Sequence, residues 1–144
     1  MTTHILSVPV ALSDADLLSR IDDLASRERQ TSAEMVAHLA ALELRPSLYA
    51  ARGYGSLFAY CTGALRLSED SASNRIAAVR ICLRFPVVLE GLASGSLTLS
   101  SIRMLGPQLT AENHERVLAR AGRRSCEEIK LLVAELAPRP DVVA

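Results

Sequence analysis

Apolar positions recur at helical spacing along most of the chain. Leu17, Leu18, Ile21 and Leu24 fall three and four residues apart, as do Met35, Val36, Leu39 and Leu42, with a polar stretch from Glu28 to Ser32 between the two groups. Ser13 stands before this pattern as an N-cap whose hydroxyl can accept from the Asp16 amide. Asp14 and Asp16 then face the positive helix end, and Leu12 can staple onto Leu17. The spacing predicts one long helix to about Glu43, stopped by Arg45-Pro46, because no Gly or Pro marks a turn inside it. A break at Thr31, where Thr31-x-x-Glu34 forms a second capping box, is the other reading.

Shorter elements follow. Residues 46–56, with Pro46, Gly53 and Gly55, read as a loop holding at most one turn, and Gly53-Tyr54-Gly55 reads as a tight turn rather than a phosphate loop. A helix runs from Ser56 to about Arg66, and after a Leu67-Ser68 break Ser68 caps the next one, to Arg84. Pro86 fits the first turn of a short helix that Gly95 terminates. Thr98 or Leu99 opens another, closed by Gly106-Pro107; Thr110 caps one to about Ala121; and Ser125-x-x-Glu128 is a capping box for 126–137. The expected organisation is an N-terminal arm over 1–12, a single helical domain over 13–137 and a Pro-containing tail or linker stub over 138–144.

Composition agrees with this pattern. The chain has 144 residues, the size of one domain, and 49% of them are hydrophobic, so a real core can form. Its 23 leucines and 21 alanines far outnumber valine and isoleucine and favour helix over sheet. The fold class is therefore all-α: a compact multi-helix domain with one long N-terminal helix and about five to six shorter ones. No apolar run reaches the ~18 residues of a membrane span, and MTTHILSVPVAL lacks the basic start and A-x-A site of a signal peptide. No membrane partner and a cytoplasmic location are expected.

Charge narrows the function. Sixteen basic and sixteen acidic residues give no net charge, which excludes a generally basic nucleic-acid coat. The charges are nevertheless uneven: residues 1–45 carry four basic and seven acidic groups, residues 46–110 six and three, and residues 111–144 six of each. Fifteen of the basic residues are arginine, which a GC-rich gene explains as readily as phosphate recognition does.

Chemistry is sparse. Cys61, Cys82 and Cys126 are odd in number and widely spaced, which fits buried thiols and no metal site. His4 falls in a fraying terminus, His38 at the edge of a core stripe, and His114 in a polar first turn. Asn113-His114 has the letters of an HNH nuclease, but no further histidine follows and nothing nearby reads as the hairpin such a metal site needs. No catalytic residue, metal or cofactor is assigned.

One binding-type layout stands out. From Ala64 to Ile76 a helix, a brief Leu-Ser break and a capped helix with Ser73, Asn74 and Arg75 in its second turn match a helix-turn-helix, whose second helix meets base edges in the major groove. On a helical wheel Ala72, Ile76, Val79 and Leu83 form the expected buried stripe. Arg80 and Arg84 lie on one flank with Ser73, Arg75 lies on the other, and Ile81 lies nearly opposite. DNA contact through Ser73, Asn74, Arg75, Arg80 and Arg84 therefore stands beside a core helix with snorkelling arginines and beside a protein interface.

The order of several segments carries a resemblance. LSDADLLSRI with RERQTSAEMVAHLAAL, then GYGSLFAYCTGALRLSEDSASNRI, then RFPVVLEGLASGSLTLSSIRMLGPQLTAENHE and SCEEIKLLVAELAPRPDV together resemble the helical N-terminal region of bacterial HNH endonuclease-like proteins, from Ser13 to Asp141. That region is a domain of unknown function, and in such proteins the catalytic HNH unit lies downstream of a P-x-P segment, here Pro138-Arg139-Pro140. The resemblance implies a bacterial, nuclease-associated module. It transfers no catalytic residue, because no position here matches the HNH motif. The expected role is a non-catalytic DNA-binding or targeting module, with double-stranded DNA as partner. The alternative is a protein-interaction or dimerisation module, pairing through the long first helix with a second copy or a nuclease module.

Overall fold

Local capping chemistry sets where the helices begin. In the computed structural model, which describes residues 4–137, Ser13 caps the long helix α2 (Asp14–Glu43) by accepting from the Asp16 amide at 3.2 Å. The same device starts α4 (Leu57–Gly63) at Ser56 and α5 (Glu69–Arg84) at Ser68. Reciprocal capping boxes start α7 (Leu99–Leu105) at Thr98 and Ser101, and α9 (Cys126–Leu136) at Ser125 and Glu128. The described residues are all helical or loop: α1 (His4–Ala11), α3 (Ser47–Ala50), α6 (Val88–Ser94), a 3₁₀ turn (Gly106–Gln108) and α8 (His114–Ala121) complete the order.

α2 runs unbroken through Thr31 as the spacing predicts, so the Thr31-x-x-Glu34 box goes unused. Three other boundaries differ from expectation. α4 stops at Gly63, and Arg66 takes a left-handed backbone at φ 58° in the link to α5. Thr110 and Asn113 exchange backbone-to-side-chain bonds of 3.0 and 2.7 Å, but regular helix starts only at His114. Over the expected arm, residues 4–11 form α1. Being apolar almost all round, and carrying Pro9, this stretch offers no helical period to read. Residues 1–3 of that arm and the expected tail over 138–144 lie outside the described residues.

The core is built around α5. Helix α2 packs on α5 and α6, α4 packs on α5, and α7 packs on both α5 and α9. α5 therefore buries Ala72, Ile76, Ala78, Val79, Ile81 and Cys82 on several sides. This corrects the single-stripe expectation: Ile81 is buried, while Leu83 is 42% exposed. Ile81 packs into the space left by Gly106, where a Cβ would collide with its side chain. Gly95 closes α6 at φ 86° with the Arg29 stem against it, tying the middle of α2 to the α6–α7 turn.

Candidate interaction site

The long helix serves two purposes along its length. Thirty residues at about 1.5 Å per residue make a rod of roughly 45 Å. Its buried positions are confined to Ala33, Val36, Leu39 and Ala40, and no residue from Asp14 to Ser32 is buried. The first half of α2 therefore lies beyond the core and carries its own apolar row into solvent. Leu18 is 64% exposed and Ile21 49%, with Leu24 nearly as open. These are the residues whose spacing predicted the helix; the spacing was right, but among the described residues the face is largely uncovered.

Helix α1 adds to this surface. Ile5 is 87% exposed, and Leu6, Val8 and Val10 are also largely open. A helix apolar all round is normally buried on all sides. Between α1 and the start of α2 runs a groove of about 630 Å³, with Ile5, Val8, Pro9, Leu12 and Leu24 as apolar lining and Asp16, Arg20 and Asp23 along it. Together α1 and residues 14–24 make a helical hairpin outside the core that holds seven of the exposed large apolar side chains among the described residues.

The residues predicted to touch DNA are dispersed. Asn74 accepts from Arg103 at 2.8 Å, and Arg75 donates to the Ser71 carbonyl at 3.1 Å and to the Ser71 hydroxyl on its own helix. Arg84 donates to the Leu109 carbonyl at 3.3 Å and lies 4.8 Å from the Phe85 ring centroid. Ser73 and Arg80 line a different groove of about 460 Å³ with Arg103, Glu43 and Tyr49. Of the five, Arg80 alone is exposed without a bond among the described residues, and the exposed first turn of α5 carries Glu69 and Asp70. Arg103, the one groove arginine outside the predicted set, sits on α7, and no local motif linked it to α5.

The remaining candidate groups are accounted for by packing. Cys61 and Cys82 are buried and burial pushes both thiols up, an effect that Arg75 partly offsets at Cys61. Cys126 corrects the expectation of three buried thiols, because as the first residue of α9 it is exposed. His38 is also exposed rather than at a core edge, its Nδ1 2.6 Å from the Glu34 carbonyl. Among the described residues no three His, Cys, Asp or Glu side chains are placed to hold a metal ion. No described helix is long and apolar enough to cross a membrane. No family model, curated protein or solved structure matches the chain.

Proposed function

We propose that this chain is a protein-interaction module whose docking element is the hairpin of α1 and the first half of α2. One observation carries the reading: the large apolar side chains from Ile5 to Leu24 stand mostly in solvent, outside the core of a domain whose other large apolar side chains are mostly buried or half-buried. Seven side chains there, Ile5, Leu6, Val8, Val10, Leu18, Ile21 and Leu24, are exposed. Such a role is consistent with the resemblance to the helical region that accompanies HNH units, as an accessory part that assembles and does no chemistry itself.

DNA contact through α5 has weaker support, since α5 is packed by α2, α4, α6 and α7 and offers acid at its first turn. The two readings separate experimentally. Under the interaction reading, L18E/I21E removes association measured by light scattering while the circular dichroism melt of the dilute protein stays unchanged. Association untouched by this variant overturns the reading. So does salt-steep binding to a random-sequence duplex that R80A/R103A removes, since that would place the function on the phosphate backbone.

A further inference from the structure

The polar residues beside the apolar row carry more information than the row itself. Asp16, Arg20, Asp23 and Arg27 succeed one another at steps of four, three and four, so they share one flank of α2 and alternate in sign along it. Neighbours at that spacing can pair within a helix. Yet the ion pairs among the described residues are Arg120–Glu135, Arg124–Glu128 and Lys130–Glu127, and all of them lie elsewhere. Leu17, Ile21 and Leu24 run alongside at steps of four and three.

An alternating row of this kind distinguishes its partner's direction. Laid parallel and in register on a copy of itself, each charge meets its own sign. Laid antiparallel about an axis between Ile21 and Asp22, Asp16 meets Arg27 and Arg20 meets Asp23, and symmetry makes each pairing twice. Accepting the hairpin as the docking element, we infer that its partner is a second copy of this chain, with the two α2 helices antiparallel and crossing at Ile21–Asp22. Leu17, Ile21 and Leu24 of each copy then cover the other's.

The test uses the full chain and single charge reversals. D16R and R27D each turn two attractive contacts into two repulsive ones, and each alone is expected to raise the dimer dissociation constant by about tenfold or more. Mixing the two variants restores complementarity, so analytical ultracentrifugation of the mixture should show a heterodimer that neither forms with itself. Restoration on mixing supports the antiparallel pair. A dimer dispersed by L18E/I21E but indifferent to both reversals overturns the register and leaves the docking reading standing. A dimer indifferent to all of these variants overturns both. A wild-type chain that stays monomeric into the hundred-micromolar range overturns the second copy as partner.

Discussion

The His114 imidazole stacks on the buried Phe85 ring, with centroids 4.5 Å apart and planes 23° from parallel. The histidine is held there by its own helix start, its Nδ1 lying 3.1 Å from the Thr110 carbonyl and 3.0 Å from the Ala111 carbonyl. A proton on Nδ1 donates to those oxygens, so the ring covers Phe85 and helps satisfy the backbone before α8. The Arg84 guanidinium sits 4.8 Å from the same aromatic centroid, so this contact fastens α8 to the end of α5.

Removing the two partners should have unequal costs. Phe85→Ala empties a core position and is expected to destabilise by about 3–5 kcal/mol. His114→Ala loses a stacked ring and a helix-start contact, and about 1 kcal/mol is expected. Urea unfolding of both single variants and of the double variant measures the coupling between them. Strict additivity would show that the stack contributes nothing of its own.

Thiol reactivity should follow burial. Cys126 is exposed, whereas Cys61 and Cys82 are buried with thiols held above the ordinary range by desolvation. In the native protein a maleimide is expected to label Cys126 at once and the other two only on the timescale of unfolding. Full denaturation should release all three. Rapid labelling of Cys61 would mean that the α4–α5 packing opens readily.

Much of the fold was legible because capping is local. Ser13, Ser56, Ser68, Thr98 and Ser125 each announce a helix by chemistry that spans four residues, and each caps one here. What lay outside local reach was context. The burial of Ile81 depends on Gly106, twenty-five positions along, and the His114 stack depends on Phe85. The row Leu17, Leu18, Ile21 and Leu24 reads as helix correctly, but periodicity cannot say whether the covering surface belongs to the same chain. The engagement of Asn74 by Arg103 and of Arg84 by the Leu109 carbonyl is likewise set by packing, not by the letters of the 64–76 segment, whereas Arg75 bonds Ser71 one turn back within it.

The α9 capping box should leave a signature in acid. Glu128 accepts from the Ser125 amide at 3.1 Å and from Arg124 at 3.0 Å, and these bonds hold its carboxyl below the ordinary carboxylate value. A group whose folded pKa is lowered stabilises fully above its unfolded value and loses that contribution as pH falls through the folded one. Gln at this position keeps an acceptor but does not titrate. The melting-temperature gap between wild type and E128Q should therefore be constant well above the ordinary glutamate value of about 4.3 and narrow as pH falls below it. A gap unchanged at low pH would mean that the charge adds nothing beyond the bond.

Core and hairpin should separate by how they respond to concentration. Leu105 is fully buried where α7 meets the core, so Leu105→Ala is expected to cost about 2–5 kcal/mol at any protein concentration. Ile21 and Leu18 contribute little to the core of their own chain, and Leu18→Ala and Ile21→Ala should stay within about 0.5 kcal/mol of wild type in dilute solution. Association adds a second contribution, because a partner that binds only the folded chain raises the melting temperature as concentration rises. Wild type should therefore melt higher at hundreds of micromolar than at one micromolar. Leu105→Ala should shift both values down together, whereas Ile21→Ala should leave the dilute value in place and remove the rise. Calorimetry over that range checks all three proteins. If Ile21→Ala lowers the dilute melting temperature as much as Leu105→Ala does, the first half of α2 belongs to the core and its exposed face is not a docking surface.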